Sequence, residues 1–140
     1  MLERAIEIAL TSHKEQRDKA GELYVLHPLR LMMEMDTETE RIVAVLHDVV
    51  EDSNGTWTFD KLAQEGFSDE ITSCLRLLTH DKKEDYFEYV RRIKQNPLAT
   101  KVKLADLKDN LDSTRLPDID NKTMKRLVKY HKAYLFLSKE

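Results

Sequence analysis

The nine residues AVLHDVVED, Ala44 to Asp52, constrain this chain more than any other stretch. They set one histidine and three carboxylates side by side among Val and Leu. Burying several carboxylates together costs free energy unless their charge is neutralised on the spot. A bound cation does that and gives the carboxylates a use. On one continuous helix, His47 and Glu51 stack four residues apart, and Asp48 and Asp52 stack beside them, about 100° around the axis. His47 and Asp48 then suit metal ligation at one level. Glu51 and Asp52, a turn later, suit the handling of a water. A lone His-Asp dipeptide is most often a surface pair, but the flanking Ala44, Val45, Leu46, Val49 and Val50 argue against free exposure here.

The surrounding pattern is helical. Only 3 Gly and 3 Pro punctuate 140 residues, too few for a strand-and-turn architecture. Leu2, Ile6, Ala9 and Leu10 recur at helical spacing and predict a first helix ending near His13. The polar stretch KEQRDKAGELYVL predicts a loop. His27-Pro28 opens a short helix to Met35, because Pro is favoured at a first helical position. Asp36 or Thr37 caps a third helix, whose Ile42, Val45, Leu46 and Val49 form one face. Thr58 or Asp60 begins a short helix that Gly66 stops, and Ser68 caps the next, with Ile71, Cys74, Leu75 and Leu78 as its stripe. Tyr86, Tyr89, Val90 and Ile93 mark another helix. Asn96-Pro97 opens one running to about Leu111, with Leu104, Leu107 and Leu111 in the core. The last runs from about Asn121 to Leu137, with Leu127, Tyr130, Tyr134 and Leu137 inward. The expectation is an all-α, compact single domain over residues 1–140, a bundle of about seven or eight helices.

One His and one Asp do not complete a metal site, and imidazole-carboxylate mixtures suit Mn, Fe or Zn. His27, held before a Pro in VLHPL, serves equally well as a helix-entry cap or as a ligand. Asp106 lies beside a core stripe, and Asn110 shares its face four residues on; a border position is the plain alternative. Asp109 reads as solvated. His13, His80 and His131 read as surface or satisfied core histidines. Arg17 and Lys19, on a loop with Gly21 just before His27, would suit an anionic, phosphate-bearing ligand if a metal lies nearby; otherwise they belong to an ordinary hydrophilic loop.

Composition narrows the classes further. A net charge of -3 and a pI near 6.0 give no electrostatic footprint for nucleic acid. The single Cys74 cannot form an internal disulfide, which favours a reducing, cytoplasmic setting. The start, MLERAIEIAL, is charged and amphipathic, unlike a signal peptide, and no apolar run has the length of a membrane span. Oligomeric state stays open: Met32, Met33, Met35 and the last helix can serve either core or interface.

Three segments in order, RDKAGELYVLHPLR, VLHDVVED and VKLADLKDN, resemble the HD-domain metal-dependent phosphohydrolases. More narrowly, they resemble the hydrolase domain of the RelA/SpoT alarmone enzymes and the stand-alone small alarmone hydrolases. The resemblance implies an all-α fold holding one divalent ion, usually Mn²⁺. It implies His27, His47, Asp48 and Asp106 as metal ligands, and Glu51 and Asp52 as the acidic pair acting on the hydrolytic water. Arg17, Lys19 and Asn110 fall at or near positions of substrate contact. The reaction it implies is removal of the 3′-pyrophosphate of ppGpp or pppGpp, giving GDP or GTP and pyrophosphate, as in alarmone degradation during the stringent response. Two alternatives stand beside it: an HD-family phosphatase of nucleoside monophosphates or NADPH, and a nucleotide-sensing module without turnover. Leu23 stands where many relatives have Pro, which predicts a looser loop. Ala20 replaces a frequent Ser, removing one polar contact, and LDSTRLPDID departs from the long enzymes. A chain of this length also leaves no room for their synthetase domain.

Overall fold

The computed structural model describes residues 1–139. Among them the chain forms nine α-helices: α1 (Leu2–Ser12), α2 (Leu26–Met33), α3 (Glu38–Leu46), α4 (Val49–Asp52), α5 (Phe59–Gln64), α6 (Asp69–Leu78), α7 (Tyr86–Lys94), α8 (Pro97–Asn110) and α9 (Asn121–Ser138), with a 3₁₀ turn at Ser113–Arg115. The all-α expectation holds. The extra helix arises because residues 38–52 are two helices, not one.

Most starts are written locally. Thr37 and Glu40 form a reciprocal capping box at α3. Thr58, Ser68, Asp85, Asn96 and Asp120 each accept a backbone N–H at the start of α5, α6, α7, α8 and α9. The opening of α2 differs from expectation. It begins at Leu26 behind Val25, which offers no side-chain cap, so His27 lies inside the first turn rather than before it.

Two helices make the middle of the molecule. Ile42 to Leu46 of α3 are buried without interruption, and α3 packs on α1, α2, α6 and α8. A helix enclosed by neighbours needs no polar face there. In turn, α8 meets α2, α3, α6, α7 and α9. Its buried residues, Ala99, Val102, Lys103, Ala105, Asp106 and Leu107, run around the helix, while Leu104 and Leu111 are only half-buried. The expected Leu stripe is therefore replaced by an enclosed helix with two charged residues inside.

Other faces are rotated or thinner than periodicity implied. Ala5, Ile8 and Ala9 are the buried residues of α1, and Leu10 is exposed. In α9, Ala133 and Leu137 are buried, whereas Leu127, Tyr130 and Tyr134 are half-buried. Of the methionines, Met35 is in the core and Met33 is 76% exposed.

The segment 14–25 is a tight hairpin rather than a loose loop. Arg17 and Leu23 form an antiparallel bridge flanked by hydrogen bonds from Asp18 N–H to Glu22 O and from Tyr24 N–H to Gln16 O. Asp18 Oδ1 accepts from the backbone of Ala20 and Glu22, and Gly21 takes the left-handed conformation at φ 84°. The hairpin closes without a proline at position 23.

Candidate metal centre and its two chambers

The break after α3 shapes the site. Ala44 O would ordinarily accept from the N–H four residues on. Here the His47 side chain takes it through Nδ1 at 2.8 Å, and the His47 backbone N–H also points at it, at 3.5 Å. An inserted side-chain bond interrupts the helical ladder. Asp48 then adopts φ -107°, ψ 1° and begins α4. The two neat columns expected of one continuous helix are thus lost, although Asp52 N–H still bonds Asp48 O at 3.0 Å.

This break turns His47 Nε2 inward. His27, His47 and Asp48 each offer an atom within 4.8 Å of the others. Asp106 Oδ1 joins them from α8, 2.9 Å from His27 Nε2 and 3.6 Å from His47 Nε2. Segments far apart in sequence therefore meet at one point.

Each of these groups is held from behind. His27 Nδ1 lies 2.6 Å from Asp109 Oδ2, and Arg30 makes two 2.9 Å bonds to the same carboxylate. Arg115 adds a second guanidinium to Asp109 at 3.4 Å. Asp109, expected in solvent, is a structural partner of the site. Asp106 Oδ2 accepts from the buried Lys103 ammonium at 2.8 Å, while Oδ1 accepts from Asn110 at 3.1 Å. Asp48 Oδ2 accepts from the Tyr24 hydroxyl. Lys103, Asp109, Arg30 and Tyr24 were missed in the sequence. Each stands three residues from a singled-out residue, a spacing that puts Lys103, Asp109 and Arg30 on the helical face of their neighbour, while Tyr24 lies in the turn before α2.

The acidic pair divides. Glu51 lines the cavity above the cluster, and its Oε1 accepts the His80 backbone N–H at 3.1 Å. Asp52 turns the other way, with Oδ2 3.8 Å from His13 Nδ1. Gln16 ties this corner together, accepting from His13 and donating to the carbonyl of Asp52. His13 is thus a fully buried histidine beside the site, not a surface one.

Electrostatics follow from these contacts. Burial opposes the charged form of Asp48, but the adjacent His47 outweighs it and lowers the carboxyl to about 2. Asp106 is held well below its usual range because Lys103 and the histidines overcome the cost of burial. Burial also works against the charged forms of His27 and His47, yet their carboxylate partners raise both. Desolvation and the charge of Asp48 raise Glu51, and the same causes push Asp52 up to about 6.

The residues present fit one divalent ion. With Nδ1 committed to a carbonyl, His47 turns its buried Nε2 into the cluster, 3.0 Å from Asp48 Oδ2 and 3.6 Å from Asp106 Oδ1. Asp109 fixes His27 in the same sense, the carboxylate–histidine arrangement that supports metal ligands. Two imidazoles with two carboxylates form a donor set for a first-row divalent metal.

Two chambers open on this cluster. One, about 260 Å³, is lined by the cluster itself, Glu51, Lys103, Tyr86 and Lys129. The other, about 270 Å³, is lined by five cations, Arg17, Lys19, Arg30, Arg115 and Arg126, against three carboxylates, Asp18, Asp109 and Asp112, with aliphatic Leu116 and Leu127. Tyr24, His27, Asn110 and Tyr130 form the wall they share. Arg17 and Lys19 thus lie in the neighbouring chamber rather than against the cluster, and Asn110 stands between the two.

No family model matches the chain. Over 123 residues it is 31% identical to the guanosine-3′,5′-bis(diphosphate) 3′-pyrophosphohydrolase of Aquifex aeolicus (strain VF5), covering 79% of this chain and 17% of that protein. Over 124 residues it is 31% identical to the bifunctional (p)ppGpp synthase/hydrolase SpoT of Escherichia coli (strain K12), with the same coverage of each. A solved structure described as a metazoan ortholog of SpoT that hydrolyzes ppGpp superposes with a TM-score of 0.75 at 24% identity, over 97% of this chain and 84% of that one, and establishes a shared fold. The chain is an all-α domain with the fold of that SpoT ortholog, and 79% of it is similar in sequence to a segment of each of these RelA/SpoT-type enzymes. It spans 17% of the length of these curated relatives. No helix among the described residues is long and apolar enough to cross a membrane.

Proposed function

We propose that this domain is a metal-dependent (p)ppGpp 3′-pyrophosphohydrolase. The observation that carries the reading is the convergence of two histidines and two aspartates from α2, the α3–α4 break and α8 beneath a cavity with cationic walls. The names of the curated relatives support the same substrate. His27, His47, Asp48 and Asp106 would hold the ion, and Mn²⁺ suits this mixed donor set. Once bound, a divalent ion supplies Lewis acidity towards a phosphoryl oxygen and lowers the pKa of a bound water.

The side chains divide the remaining work. Glu51, raised and facing the chamber, accepts the proton of the attacking water. Asp52, raised by burial and by the charge of Asp48, acts through the polar corner with His13 and Gln16. The water oxygen joins the phosphorus, the bond from phosphorus to the ribose 3′-oxygen breaks, and that oxygen takes a proton. GDP or GTP and pyrophosphate are the products. Asn110 on the shared wall, and Arg17 and Lys19 in the cationic chamber, hold the nucleotide and offset its charge. A cytoplasmic setting accompanies this reading, one that the free, buried Cys74 thiol suits.

A panel of ppGpp, pppGpp, nucleoside monophosphates and NADPH, assayed with Mn²⁺ for pyrophosphate against orthophosphate, tests the proposal. Pyrophosphate from the guanosine polyphosphates alone is expected. Orthophosphate from the other nucleotides would transfer the domain to the HD phosphatases. Tight ppGpp binding without product in excess Mn²⁺ would make it a sensing module.

A further inference from the structure

The first chamber extends past the ligand cluster to a wall that the hydrolytic chemistry does not use. That wall comes from α7, α8 and α9 and carries Tyr86, Tyr89, Lys103, Lys129 and Tyr130. Two of its polar atoms are committed. The Tyr89 hydroxyl donates to Leu78 O at 2.6 Å, and Lys103 is paired with Asp106. Two are not. The Tyr86 hydroxyl is buried without a hydrogen-bond partner. The Lys129 ammonium stands 4.6 Å from the centre of the Tyr86 ring and 5.4 Å from that of Tyr130, with no carboxylate partner among the described residues.

A buried hydroxyl left unpaired costs about 1–3 kcal/mol, so a site that keeps one has a use for it as a donor. Burial pushes the Tyr86 phenol up to about 12, so it remains protonated and can only gain by donating to an acceptor. A neutral donor beside an unpaired ammonium, in a chamber shared with a metal-ligand cluster, is the chemistry of a phosphate site.

The chamber layout says which phosphate. The Arg-rich chamber with Leu116 and Leu127 has the apolar floor and flanking cations of a nucleoside site. The shared wall, with His27 and Asn110, is where the scissile group passes from one chamber to the other. What enters the far part of the first chamber is then the portion of substrate beyond the scissile phosphorus. We infer that Tyr86 and Lys129 bind the distal phosphate of the leaving diphosphate, and so select a 3′-diphosphate over a 3′-monophosphate. This rests on the proposed hydrolase reading and extends it to a specificity subsite.

The test compares the Mn²⁺-loaded protein with its Tyr86→Phe and Lys129→Ala variants. Two quantities are measured: calorimetric affinity for inorganic pyrophosphate and for orthophosphate, and kcat/KM for ppGpp and for guanosine 5′-diphosphate 3′-monophosphate. Each variant should lose roughly tenfold in pyrophosphate affinity and in kcat/KM for ppGpp, with orthophosphate affinity and the monophosphate substrate unaffected. The unfolding temperature should not fall in Tyr86→Phe and should rise, because the lost hydroxyl is buried without a partner. Equal losses on both substrates, or none on either, would overturn the subsite. The binding arm separates the two readings: Tyr86-dependent pyrophosphate binding without ppGpp turnover keeps the subsite and removes the hydrolase. Turnover with pyrophosphate affinity indifferent to both variants does the reverse.

Discussion

The two chambers share a wall but are built on opposite principles. Around the proposed metal site, the candidate ligands sit on α2, α8 and the α3–α4 break and are fixed from behind: His47 by Ala44 O, His27 by Asp109, Asp106 by Lys103 and Asp48 by Tyr24. In the cationic chamber, Arg17 and Lys19 project from a hairpin and are exposed, and Arg126 lies on the lightly buried α9. The first region spends its polar groups on geometry. The second keeps long side chains in solvent, where they trade rigidity for reach. Substitutions should accordingly act on chemistry and metal affinity in one region, and on substrate affinity in the other.

The largest effect is expected at Asp48. Asp48→Ala should abolish Mn²⁺-dependent pyrophosphate release and the thermal shift produced by Mn²⁺, while far-UV circular dichroism keeps its helical signal. Full activity in this variant would sink the ligand assignment. Asp109→Asn comes next. Loss of the partner behind His27 should weaken Mn²⁺ binding by about 10–100-fold in calorimetry, as outer partners of metal ligands do. An unchanged affinity would place Asp109 outside the site's support.

A pH series sharpens the same contrast. In the metal-free protein His27 and His47 are raised above the ordinary 6.5. Their ion pairs stabilise fully below that value, and this contribution is lost as pH rises through the shifted values. Metal competes with those protons, so the gain in Tm from Mn²⁺ should grow from about pH 6 to about pH 8. A gain that is flat or falling with pH would mean the ion binds elsewhere.

Lys19→Ala should act mainly on KM. Desolvation and the nearby Arg126 and Lys122 lower the Lys19 pKa, which marks it as part of a crowded cationic edge. Its removal should raise KM by a few-fold, less at high salt, with kcat nearly constant. A drop in kcat instead would join the two chambers functionally. The smallest effect is Leu23→Pro. Leu23 pairs with Arg17 between the hydrogen bonds that close the hairpin, and its own N–H makes none of them. Proline there should stabilise the fold by about 0.4–1 kcal/mol in denaturant unfolding, through a less flexible unfolded chain. Destabilisation would show a backbone conformation that proline cannot adopt.

Helix existence and most helix starts were legible because capping is local: Thr37, Ser68 and Asn96 act within four residues of their own position. The enclosed character of α8 was not, because its burial depends on five neighbouring helices rather than on its own period. The site divided in the same way. HDVVED, HP and LAD stood out as chemistry out of place in apolar surroundings. Asp109 looked solvated because nothing near it in the chain is its partner; His27 and Arg30 lie about eighty residues away.

AVLHDVVED by itself determined that this chain must accommodate carboxylates in an apolar setting, and so pointed to a cation. Tertiary structure decided how. The His47 side chain took the Ala44 carbonyl, broke the helix and turned Nε2 towards His27 and Asp106. That break also sent Glu51 to the chamber and Asp52 to His13. Periodicity assumes an unbroken ladder of backbone bonds, and here one side chain competes for that ladder, so the final directions of the four polar groups depend on what packs around them.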